Sequence, residues 1–144
     1  NGAIGELAYS RAEAAEFGAT FTPAGDNLLL TGGSPADTAA LVAGTRRGLL
    51  LTCLWYIRLV DPATLLVTGL TRDGVYLVED GEVVGEVDHN FRFNHSPLEV
   101  LRRAPEVGAT ERTLPREWKD WFTRTAMPPV RVPEFNMSSI SLGR

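Results

Sequence analysis

Three features of the sequence predict an α+β fold that is mainly β, with an antiparallel sheet, sandwich or barrel-like arrangement and two or three short helices. Short apolar runs alternate with turn residues, an Asp80-Gly81 pair sits between two alternating segments, and Ser-Pro helix starts recur at Ser34 and Ser96. The 144 residues are 44% hydrophobic and 22% charged, which is ordinary for a single soluble domain. Residues 1–144 read as one domain, with 1–21 as a frayed lead-in. The abrupt Asn1-Gly2 start suggests a piece of a longer chain.

Along the chain, Gly5 to Phe17 reads as a short helix with Gly18 as its stop. Asn27 to Thr31 is an apolar strand candidate closed by Gly32-Gly33. Ser34-Pro35-Ala36-Asp37 then predicts a helix start with Ser34 as cap and Pro35 in the first turn, ending before Gly44. Gly48 to Tyr56 reads as a buried strand. Asp61-Pro62-Ala63-Thr64 is a turn, Leu65 to Thr71 the returning strand, and Val75 to Glu79 with Glu82 to Val87 a hairpin about Asp80-Gly81. Phe91-Arg92-Phe93 alternates as a half-buried strand does. Ser96 to Ala104 is a second capped helix, with Glu99 placed for a capping box. Trp118, Trp121 and Phe122 fall in a polar stretch that reads equally as helix or packed loop. Met127 to Val132 is a Pro-led strand starting at an edge, and Phe135 to Ser141 a last short strand.

The composition removes several function classes. Fourteen basic against eighteen acidic residues, net charge -4, argue against a general nucleic-acid binder. Arg46-Arg47 and Arg102-Arg103 read as solvated surface. No apolar run approaches the roughly 18 residues of a membrane span. The single Cys53 cannot make an internal disulfide, and a reducing cytoplasm fits it. Metal ligands are scarce: His89, His95 and Cys53, with Asp88 beside them, show neither HExxH nor CxxC spacing. Cys53 lies within an apolar run and reads as a small buried hydrophobe rather than a nucleophile. The carboxylates between Glu79 and Asp88 alternate with valines, as the solvated face of a hairpin would. Trp55, Tyr56 and Arg58 form an aromatic and arginine cluster of the kind favoured at peptide or subunit surfaces, with core packing as the competing explanation.

Several strings then form an ordered set. Arg47-Gly48-Leu49-Leu50 is followed by Asp61-Pro62-Ala63-Thr64, by Leu70 to Glu79, and by Phe91-Arg92-Phe93-Asn94. Upstream lie Pro23, Asn27-Leu28 and the Ser34 to Gly44 helix; downstream lies the Met127 to Val132 strand. This succession, spanning Thr22 to Ser141, resembles the C-terminal domain of the PmbA/TldD family, also called modulator of DNA gyrase or TldD-related metallopeptidases.

The resemblance implies a bacterial or archaeal cytoplasmic protease system. Its catalytic subunit carries an HExxxH helix in an N-terminal domain, and a cysteine of the C-terminal domain completes a zinc site. The PmbA-type subunit lacks that site and pairs with the catalytic one to cleave extended, unfolded peptides. In this chain the position of the family cysteine reads Phe122-Thr123-Arg124-Thr125-Ala126, without cysteine, and Cys53 lies far upstream. The expectation is therefore a non-catalytic scaffold domain with no catalytic, cofactor or metal residue of its own. Its expected partners are a TldD-like catalytic subunit or a second copy, and an unfolded peptide, with neither nucleic acid nor membrane. Zinc would belong to the full-length parent or its partner subunit. Two alternatives stand beside this: an active zinc metallopeptidase whose HExxxH lies outside this sequence, and a binding or regulatory module acting on gyrase without protease activity.

Overall fold

A computed structural model describes residues 8, 10–22, 27–114, 117 and 124–141. The fold is mixed α+β and mostly antiparallel; the described residues form three short helices and strands in four open sheets rather than a closed barrel. The strands β1 (Asn27–Leu29), β10 (Arg124–Met127) and β9 (Glu111–Thr113) form one sheet, in which β1 and β10 run parallel. A small pair joins β11 (Val130–Arg131) to β8 (Glu106–Val107). The two larger sheets have the orders β2-β5-β6 and β12-β7-β4-β3. Their strands are β2 (Arg47–Leu51), β3 (Leu54–Asp61), β4 (Leu66–Thr71), β5 (Val75–Glu79), β6 (Glu82–Glu86), β7 (Asn90–His95) and β12 (Met137–Ser141).

The run expected as one buried strand, Gly48 to Tyr56, is two strands in different sheets. Leu51 pairs with Val75 and Leu54 with Thr71, so the chain changes sheet at Thr52-Cys53, opposite Arg72-Asp73-Gly74. Thr52 makes the corner. Its hydroxyl donates to the Asp73 and Gly74 carbonyls at 2.9 and 3.1 Å, and its N–H donates to Gly74. Asp73 and Gly74 both have positive φ, 54° and 122°, as a sharp reversal of chain direction requires. Nor is the run buried: Leu49 and Leu54 are both exposed. An apolar run carries no mark of which face it will present, so periodicity could not reveal the break.

The Asp80-Gly81 hairpin forms as the sequence predicts. Both residues have positive φ, 48° and 85°, and Glu79 pairs with Glu82. Its turn is fastened to the segment that follows α2 (Thr38–Ala43) by Asp80 N–H donating to the Arg46 carbonyl and Gly81 N–H to the Thr45 carbonyl, 2.7 and 2.9 Å.

Competing hydrogen bonds shift the start of α2, and at α3 they leave the start at Ser96-Pro97 as expected but replace its side-chain capping. Asp37, not Ser34, caps α2, accepting from Ala40 N–H at 2.8 Å, while the Ser34 hydroxyl accepts from Ala36 in a local turn. In α3 (Pro97–Arg103) no capping box forms. The Ser96 hydroxyl donates to the Thr64 carbonyl at 2.9 Å, and Glu99 pairs instead with Arg102 and Arg103. The first helix, α1 (Arg11–Phe17), begins later than Gly5: Ser10 and Glu13 make a full capping box, and Ala8 is bridged to Phe21 instead. Pro128-Pro129 separate β10 from β11 rather than opening one strand, because neither can donate to a ladder. The expectation for Trp118, Trp121 and Phe122 lies outside the described residues.

Among the described residues the buried apolar side chains are Val75, Val78, Phe93, Leu41 and Ala8, and the Thr71 side chain is buried as well. Phe93 is 2% exposed and packs against Phe135 at 5.5 Å between ring centroids, anchoring β7 at the centre of the four-stranded sheet.

Candidate functional site

The β3 strand closes one side of the four-stranded sheet, with a single strand neighbour, β4, among the described residues. Its pairing is interrupted between Trp55 and Arg58, so Tyr56 and Ile57 together stand against Gly69. This bulge is set from both strands. Tyr56 takes φ 56°, and Gly69 has no room for a side chain. A Cβ there would lie 2.6 Å from Phe93 Cζ and 3.0 Å from the Trp55 carbonyl oxygen. A glycine inside a strand pattern is the sequence signal for such a bulge.

Of the three predicted surface residues, Tyr56 and Arg58 are brought together, while Trp55 is half-buried and meets a different arginine. Tyr56 is 53% exposed, and the Arg58 guanidinium lies over its ring, 4.2 Å from the centroid. Arg72 lies over Trp55 at 5.7 Å. The bulge also turns the Ile57 N–H to a side chain. It donates to both carboxylate oxygens of Glu117, at 2.9 and 3.1 Å, and Arg58 Nη1 donates to the same carboxylate at 3.1 Å. Arg58 Nη1 also donates to the Ile57 carbonyl at 2.8 Å. The Glu117 side chain is 14% exposed while that of Arg58 is 55% exposed. The result is a carboxylate held by one main-chain donor and one guanidinium at the edge of a sheet. Beyond it, Leu59 and Val60 are exposed. The sequence flagged Trp55, Tyr56 and Arg58 but not Ile57 or Glu117. A main-chain donor has no sequence signature, and Glu117 sits in a polar stretch like any surface glutamate.

At the far end of β3, Asp61 closes the turn to β4. Its carboxylate accepts from the Thr64 hydroxyl at 2.7 Å and the Ala63 N–H at 3.0 Å, which hold its pKa below the ordinary value.

The candidate metal ligands do not converge. Among the described residues no three His, Cys, Asp or Glu side chains are placed to hold a metal ion. His95 stacks on Phe135 at 5.1 Å, and the Cys53 thiol is 3.8 Å from the Leu54 carbonyl. His89, Asp88 and Glu86 line a polar cavity of about 400 Å³ without forming a ligand set. The described residues therefore do not make a zinc site by themselves. A second cavity of about 530 Å³ is apolar, lined by Leu49, Leu51, Met127, Pro129, Val132 and Phe135 among others. Among the described residues no helix is long and apolar enough to cross a membrane.

Residues 1–139 match the profile of the PmbA/TldA metallopeptidase C-terminal domain. The chain belongs to that family. Its fold is similar to the crystal structure of TldE from Thermococcus kodakarensis, with a TM-score of 0.63 over 92% of this chain at 20% sequence identity. The chain spans 30% of the length of that protein. No curated protein sequence matches it. Membership in the PmbA/TldA family agrees with the ordered strings from Arg47 to Asn94, which fall on β2, the β3–β4 turn, the end of β4 with β5, and β7.

Proposed function

We propose that this chain is the non-catalytic scaffold and partner-contact domain of a PmbA/TldD-type zinc peptidase assembly, of the PmbA-like branch. In this reading residues 1–144 are the C-terminal domain of a longer cytoplasmic protein. It pairs with a TldD-like catalytic subunit or with a second copy, and zinc belongs to the parent or the partner. The observation that carries the role is the β3 edge: a bulged strand with one neighbour among the described residues, carrying the exposed Tyr56 and Arg58 beside Trp55. An extended, unfolded peptide would lie along such an edge by adding a strand. Main-chain hydrogen bonds would give affinity without demanding a sequence, and Trp55, Tyr56 and Arg58 would supply side-chain contacts. The domain's own residues would then bind and orient the peptide, leaving bond cleavage to a metal centre held elsewhere.

The test is zinc content and peptide cleavage by the full-length protein, alone and mixed with a catalytic-type homologue from the same cell. The expected result is a zinc-free protein that is inactive alone and active in the mixture. Stoichiometric zinc with cleavage by the protein alone would replace this reading with that of an active metallopeptidase.

A further inference from the structure

The Ile57 N–H and the Arg58 guanidinium form a built acceptor for a carboxylate, and the carboxylate in it is the chain's own Glu117. We infer that this is a binding site for the free C-terminal carboxylate of an extended peptide, which Glu117 fills as an internal substitute. The inference rests on the proposed role of β3 as a peptide-contact edge, and names which part of the peptide is read there.

Five features support it. Both donors are directed to one carboxylate, with the main-chain N–H reaching each oxygen. That N–H is offered outside the β3–β4 pairing because the bulge places Tyr56 and Ile57 against Gly69. The guanidinium has two contacts besides the carboxylate, the Tyr56 ring beneath it and the Ile57 carbonyl, to which the same Nη1 donates, and these restrict it independently of a ligand. The charge match is specific: a cation and an N–H favour a carboxylate over the neutral amide of a mid-chain peptide bond. Next to the site, the exposed Leu59 and Val60 offer apolar surface for the residues that precede a peptide terminus.

A tethered glutamate competes at high effective concentration. A peptide would therefore displace Glu117 only by adding contacts along β3, and an isolated carboxylate such as acetate should compete poorly. Glu117 would thus set a threshold that favours extended chains over small acids.

The experiment compares the full-length protein with Glu117→Ala, using a fluorescent unstructured peptide with an apolar C-terminal end, made as the free acid and as the C-terminal amide. The expected result is that Glu117→Ala binds the acid about tenfold more tightly than the amide, the size expected of a charge-assisted hydrogen-bonded pair. The wild type should bind the acid more weakly than this variant does. Adding Arg58→Gln should remove the preference for the acid. Equal binding of acid and amide to Glu117→Ala would overturn this inference while leaving the peptide-edge reading intact. Binding of neither peptide would overturn both. Glu117→Gln, which keeps the side-chain shape but removes its charge, serves if the alanine variant does not fold, with the same preference expected and the same results overturning it.

Discussion

The β4 strand has two neighbours, and they behave in opposite ways. On one side β7 carries Phe93, 2% exposed against Phe135, and the Phe91 N–H donates to the buried Thr71 hydroxyl at 2.8 Å. On the other side β3 pairs with the same strand, yet Tyr56, Leu59 and Val60 are 53%, 57% and 55% exposed. One sheet thus holds a core strand and a surface strand on either side of a single intervening strand. Backbone pairing satisfies hydrogen bonds on both sides, but β7 buries Phe93 almost completely, whereas the best-covered apolar side chains of β3, Trp55 and Ile57, are only half-buried. Stability should therefore reside in β7 and β4, and β3 should be free to change its contacts at little cost to the fold.

The sharpest test of this contrast is Phe93→Ala, which should cost about 3–5 kcal/mol, the range for truncating a buried phenylalanine. Urea denaturation would measure it; a loss as small as that of a surface substitution would place the core elsewhere. Gly69→Ala comes next, because Gly69 joins the two regions. Its added Cβ would press on the Phe93 ring from one side and the Trp55 carbonyl from the other. A cost of about 1–3 kcal/mol is expected from overpacking. In a Phe93→Leu background, where the ring is gone, the cost should shrink, and the size of that coupling tells how much of the bulge depends on the core. An unchanged cost would mean that the Trp55 contact alone enforces the glycine. Gly81→Ala is a control in the other sheet. Its Cβ would meet the Ala43 carbonyl oxygen at 2.6 Å, and its φ of 85° already disfavours a side chain. A loss of about 1–2 kcal/mol is expected there, with no change in peptide binding at β3.

The same contrast explains what could be read from the residues. The β5–β6 hairpin was legible because Asp80-Gly81 encodes its turn locally, and β7 because Phe91 and Phe93 alternate with polar residues. The helix starts were only half legible. Several hydroxyls and carboxylates stood within reach of each start, and tertiary partners decided between them: the Thr64 carbonyl drew Ser96, and Arg102 and Arg103 drew Glu99. The strand break at Thr52-Cys53 was hidden inside an apolar run, since its cause is Asp73 and Gly74, more than twenty positions away. At the candidate site, Trp55, Tyr56 and Arg58 were visible by residue type. Their arrangement depends on a main-chain N–H and on Glu117, sixty positions from Ile57, and no local pattern encodes such a pairing.

The smallest expected effect lies at the end of β3, and it asks whether the surface strand is pinned at its turn. The Thr64 hydroxyl first, and the Ala63 N–H second, stabilise the charged form of Asp61 and hold its pKa below the ordinary value. A carboxyl whose pKa is lower folded than unfolded binds fewer protons in the folded state. Its contribution is complete above the unfolded pKa and disappears as the pH falls through the lowered folded one. Asp61→Asn should therefore flatten the acid limb of stability against pH and leave the neutral region nearly parallel to wild type. Thr64→Val removes the larger of the two hydrogen-bond contributions, so the Asp61 carboxyl should titrate closer to its ordinary value by NMR. An unchanged titration in Thr64→Val would mean that the turn does not hold Asp61, and that the far end of β3 is as loosely fastened as its exposed side chains are.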